Sequence, residues 1–102
     1  MMTSKEFYTR QIEYYTRSIE WTNRDIKWET ENIKREREEV RKLADFVWSK
    51  GVLTRTEMEI WGNDSYKTPE MKKSEARRNR LYRCRTKEKR MLKKYEELLA
   101  NA

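Results

Sequence analysis

Eight of the fifteen residues in "ARRNRLYRCRTKEKR", residues 76–90, are Lys or Arg, and only one is an acid. Side chains of that kind, packed that densely, recognise anions: they bind phosphates or carboxylates through charge-assisted hydrogen bonds. Arg78, Arg83, Arg85, Lys87, Lys89 and Arg90 are the expected contacts to nucleic acid or to an acidic protein face. A second candidate set is aromatic. Phe7, Tyr14, Trp21 and Trp28 recur every seven residues. Large aromatic side chains dominate protein interface hot spots, and their rings also stack on bases.

The residues that carry reactions are sparse. There is no His to act as a base or metal ligand, and the lone Cys84 lacks an imidazole partner. Paired Cys/His zinc ligands are absent. The two glycines, Gly51 and Gly62, cannot build a phosphate-cradling loop. Carboxylate pairs such as Glu38/Glu39 and Glu96/Glu97 belong to charged helix faces. The expectation is a non-enzymatic protein with no cofactor and no metal site.

These candidate residues sit on long elements. Thr3 and Glu6 in "TSKE" form a capping-box pattern, and no Gly or Pro follows until Gly51, which suits a left-handed C-terminal cap. A helix over about residues 4–50 would be roughly 70 Å long. Ile12, Ile19, Ile26, Ile33, Val40 and Val47 repeat every seven residues, the a positions of a heptad. The matching d positions are Tyr8, Tyr15, Thr22, Glu29, Glu36 and Leu43. A strict seven-residue repeat implies packing along the length of another helix. The aromatic row lies about 200° from the Ile row, so apolar material occupies two sides. The simpler expectation is that both rows are core in a bundle of three or more helices. The sharper one is that the aromatic row docks a partner.

Residues 51–68 read as a connector. Thr54 with Glu57, and Leu53 with Met58, mark a short helix over about 55–61 stopped by Gly62. Trp48, Leu53, Met58, Ile60 and Trp61 are expected to form an apolar plug there. Thr68-Pro69 opens a last helix over about 69–99, with Pro at its first position. On its wheel Leu81, Cys84, Met91, Leu92, Tyr95, Leu98 and Leu99 share one arc, which implies a buried, inert Cys84. The basic residues fill the rest. The fold class is therefore all-α: a long antiparallel helical hairpin or coiled coil, one domain over 1–102, assembled into a larger bundle with a partner or a second copy.

If the connector simply reverses the chain, residue i lies near residue 119−i. Glu36, Glu38 and Glu39 then approach Arg80 and Arg83. About the first 17 residues, with Phe7, Tyr8, Ile12, Tyr14 and Tyr15, are left without a partner. That overhang makes homo-oligomerisation through residues 1–28 an expectation.

Composition agrees with this architecture. Charged residues make up 42% of the 102, yet there are four Trp, six Tyr and two Phe, too many for a disordered chain. The net charge of +7 is uneven: residues 67–102 carry 13 Lys/Arg and five Asp/Glu, whereas residues 1–66 carry 12 and 13. A single cysteine cannot form an internal disulfide, and neither a signal core nor a membrane-spanning run occurs. A cytoplasmic protein without a membrane partner is expected.

"RRNRLYRCR" resembles the basic region of leucine-zipper transcription factors, which pairs an Asn with a Cys-Arg step. Asn79 and Arg85 are six residues apart where that family has eight, and no long zipper follows, so no base-reading role is carried over. Two functions remain in view. One is a small helical adaptor or inhibitor that docks on a protein or nucleoprotein complex. Virus- and mobile-element-encoded anti-defence proteins often have this size and charge. The other is direct DNA or RNA binding by the C-terminal helix.

Overall fold

The computed structural model describes residues 2–51, 56 and 67–102. Two long helices account for almost all of them: α1 spans Ser4–Ser49 and α2 spans Pro69–Ala100. The fold is an all-α helical hairpin. The expected short helix over 55–61 and the plug residues Leu53, Met58, Ile60 and Trp61 lie outside the described residues. Trp48 is within them and is exposed.

The helix ends follow local chemistry. The N–H of Glu6 donates to the Thr3 hydroxyl oxygen at 3.2 Å, and that of Phe7 to the Thr3 carbonyl at 3.0 Å. Thr3 is thus the N-cap of α1. Gly51 adopts φ 70°, and its N–H donates to the Trp48 carbonyl at 2.9 Å. That left-handed conformation is open to Gly with little strain. At the start of α2, the N–H of Met71 donates to the Thr68 hydroxyl oxygen at 3.1 Å. The same hydroxyl donates to Glu36 Oε1 at 3.3 Å. Thr68 therefore caps α2 and ties it to α1. Thr68→Ala should cost about 1 kcal/mol. Thermal unfolding followed by circular dichroism should show Tm falling by about 4–8 °C; an unchanged Tm would dismiss the cap.

The chain divides into two compact units, one formed by Met1–Lys27 with Arg78–Ala102 and the other by Trp28–Arg77. In the first, Thr22 and Ile26 are buried, and Tyr8, Ile12, Tyr15 and Ile19 are half-buried. On α2 the half-buried positions include Arg78, Leu81, Arg85, Glu88, Leu92, Tyr95 and Leu99, alternating steps of three and four. Tyr15 stacks on Tyr95 with centroids 6.0 Å apart, and the Thr22 hydroxyl donates to Glu88 Oε1 at 2.7 Å. In the second unit Glu29, Ile33, Ala44, Met71 and Ser74 are buried. Arg77 Nε donates to Glu29 Oε1 at 2.9 Å. Each seam therefore alternates Ile layers with polar layers. A buried polar pair contributes less to raw stability than to fixing which residues face each other.

The pairing differs from the 119−i expectation, which sets Thr22 against Glu97, Glu29 against Arg90 and Glu36 against Arg83. The observed partners are Glu88, Arg77 and Thr68, nine to fifteen residues earlier. A heptad row matches almost equally well when slid along its partner, so the polar pairs decide. The N-terminal overhang consequently does not exist. Phe7, Tyr8 and Tyr15 all meet Tyr95, at 6.0–6.1 Å between centroids. Glu36 meets Thr68, not Arg80 or Arg83. By this register the residues of α1 after Glu36 extend past the start of α2. The inward row also moves there: Ala44 is fully buried whereas Leu43, the expected d residue, is 56% exposed. A straight helix drifts by about 20° per heptad, enough to bring the next position inward.

Candidate functional site

The aromatic row is surface, not core. Phe7 is 43%, Tyr14 62%, Trp21 63% and Trp28 58% exposed. Within this chain, therefore, only the Ile row is core, and the aromatic row is left on the surface. The Ile row already satisfies α2, and one partner helix cannot cover the opposite side as well. Phe7 leans edge-on against Tyr95 at 6.0 Å, and Tyr14 against Tyr15 at 5.1 Å. Trp21 and Trp28 have no ring or cation partner among the described residues. Phe7, Tyr14 and Trp21 belong to the first unit; Trp28 opens the second. Burying each indole against a partner would be worth on the order of 2–3 kcal/mol by area.

The basic set splits. Arg83, Lys87, Lys89 and Arg90 are exposed as expected. Arg78 and Arg85 are not ridge residues. Both occupy the seam row of α2 and are half-buried. The Arg85 Nη1 donates to Asn23 Oδ1 at 2.9 Å, and its guanidinium lies 5.1 Å from the Tyr82 ring centroid. Arg78 approaches the same ring at 6.0 Å. Arg85 is held in the seam row by the Asn23 side chain opposite it, a polar group that an aliphatic residue could not satisfy.

The true ridge is Arg80, Arg83, Lys87, Arg90 and Lys94, all exposed and spaced by threes and fours on the side of α2 away from the seam. It runs about 21 Å at 1.5 Å per residue. Arg80, Arg83, Lys87 and Arg90 make no ion pair among the described residues. They line a shallow hollow with Cys84 and Thr86. Cys84 is exposed, contrary to the inert-core expectation, because it lies beside the seam row and not on it.

Charge is segregated between the units. The first holds 14 Lys/Arg and seven Asp/Glu, which gives +7; the second holds 11 of each, which gives zero. A further feature of α1 escapes attention when only the aromatic residues are counted. Arg10, Arg17 and Arg24 also repeat every seven residues, each three after a ring, and all are exposed. The same heptad count that finds the rings finds them.

No protein-family model matches the chain, and neither a curated protein nor a solved structure matches it. Function therefore rests on the surfaces alone. Among the described residues no group of three or more His, Cys, Asp or Glu is placed to hold a metal ion, and no helix is long and apolar enough to cross a membrane.

Proposed function

We propose that the protein is a non-enzymatic binding module, a small helical adaptor or inhibitor that docks on a larger protein or nucleoprotein complex. The observation that carries this is the exposure of Phe7, Tyr14, Trp21 and Trp28 at heptad spacing on a well-formed helix. Three large rings in one row on the first unit, Phe7, Tyr14 and Trp21, are expensive in water and suit a hot spot, and Trp28 is likewise exposed in the second unit. The basic ridge of α2 supplies steering and selects acidic targets. An anti-defence inhibitor is one role of this type.

The test is affinity capture from cells with and without nuclease, comparing the wild type with Trp21→Ala and Trp28→Ala. Both side chains are exposed, and Ala favours the helix, so helicity should survive. Each variant should lose most of the captured partner, by tenfold or more. Wild-type capture by both would reject the aromatic row as the docking surface.

A second function, direct binding of DNA or RNA by α2, is favoured by the unpaired ridge from Arg80 to Arg90. Its test is the salt dependence of binding.

A further inference from the structure

The outward side of α1 in the first unit carries two parallel rows, the rings Phe7, Tyr14 and Trp21 and the arginines Arg10, Arg17 and Arg24. We propose that this face takes an amphipathic α-helix of a partner protein, aligned along α1, with an apolar stripe on the rings and an acidic flank on the arginines. The proposal rests on the protein-docking function above and specifies the shape and charge of what docks.

Three features of the face select that occupant. The first is period. The rings recur every seven residues, about 10.5 Å apart, and run about 21 Å from Phe7 to Trp21 along one line. A seven-residue period is the one at which a second helix stays in register with a row, and α1 already uses it against α2. The second is charge. Arg10, Arg17 and Arg24 are exposed and make no ion pair among the described residues. A partner helix seated on the rings runs its flank directly beside them, where carboxylates give complementarity. The third is width. The rings and arginines are adjacent rows on the wheel, so one helix covers both.

Other occupants fit less well. Two copies packed antiparallel through the rings would set one arginine row against the other. They would also join two units of +7 each. In a parallel pair the arginines would face Gln11, Ser18 and Asp25, which offer one acid. A single nucleic-acid strand would find its stacking platforms about 10.5 Å apart, too far for neighbouring bases.

The experiment is selection against the full chain from a surface-displayed library of heptad helices about 28 residues long, with flanking positions randomised among acidic, basic and neutral residues. Selected helices should carry Asp or Glu along one flank. Trp21→Arg should weaken them by about 30-fold, the equivalent of about 2 kcal/mol. Arg17→Glu should weaken them too, and a Lys-flanked version of the same helix should recover that variant. Absence of acidic enrichment, or binding indifferent to Trp21→Arg, would overturn the proposal. So would saturable quenching by a single-stranded oligothymidylate of about 20 nucleotides that needs Trp21, or a sedimenting dimer that Trp21→Arg dissolves. If no helix is selected while cellular capture still needs Trp21, the helical occupant is wrong and protein docking stands. If neither needs Trp21, both fall.

Discussion

Arg77→Leu should lower the free energy of unfolding by about 3 kcal/mol, whereas Glu29→Leu should leave it unchanged or raise it by about 1 kcal/mol. The two substitutions remove the same ion pair. Glu29 is 5% exposed, and its Oε1 accepts from Arg77 Nε at 2.9 Å. Its other oxygen is buried without a hydrogen-bond partner. Without Arg77 a carboxylate stays in the seam, flanked along α1 by the buried Ile26 and Ile33, with nothing to offset its desolvation. The figure sits at the low end for buried pairs because the Arg77 side chain is 45% exposed and water can approach once it is cut back. That same exposure makes the converse change benign: with Glu29 gone, the guanidinium turns to solvent and keeps its bond to Ser74 Oγ at 3.1 Å. Leu at 29 then extends the apolar row. Urea unfolding of the two variants and of the double variant measures this asymmetry. Equal losses from both would mean that Glu29 is not desolvated as the structure has it.

If α2 binds nucleic acid directly, affinity should fall about 500-fold between 50 and 200 mM salt. Five ridge cations neutralising five phosphates give a logarithmic slope of about −4.5 on duplex, and a fourfold change in salt raised to that power gives the figure. Replacing Arg80, Arg83, Lys87 and Arg90 with Gln should flatten the slope to about −1. None of these four is in the seam, so the helix content should hold. Arg85→Gln serves as the contrast: it breaks the bond to Asn23, so it should cost stability and change the slope little. Fluorescence anisotropy over a salt series reads both quantities. A slope near zero for the wild type, or one unaffected by the fourfold substitution, would leave the ridge to an acidic protein face.

The two long helices, their ends and the inward row of α1 as far as Glu36 were legible in the chain. Each depends on local signals: the Thr3 and Thr68 caps, the positive φ at Gly51, and Ile at every seventh position. What could not be read was the second helix's contribution to the seam. Its inward row shares Leu81, Leu92, Tyr95 and Leu99 with the apolar arc but also contains Arg78, Arg85 and Glu88, so a wheel built on apolar residues is drawn toward the exposed Cys84 and Leu98 and centres about 45° off the seam. The polar d residues Thr22, Glu29 and Glu36 hold the explanation, since they require polar partners opposite. Which polar partners depends on the register, and the register depends on long-range pairs no local pattern encodes. For the candidate surfaces, the identity of the aromatic row was plain, but its exposure was not. Two apolar rows on one helix look alike until the number of neighbouring helices is known.

The polar layers have a consequence for how much of this protein a cell can keep. Ile26, Ile33, Ala44 and Met71 are the only buried apolar residues among those described. A seam in which such residues alternate with the buried Thr22 and Glu29 holds a narrow margin over its unfolded chain. Anything that binds only the folded form adds to that margin by mass action, about 2.7 kcal/mol at a hundred times its Kd. Molecules with the aromatic face occupied would then resist proteases, while unoccupied ones open and are cleared. Abundance would track that of the partner, so supply of the target would set the level of the binder without any dedicated control of its synthesis.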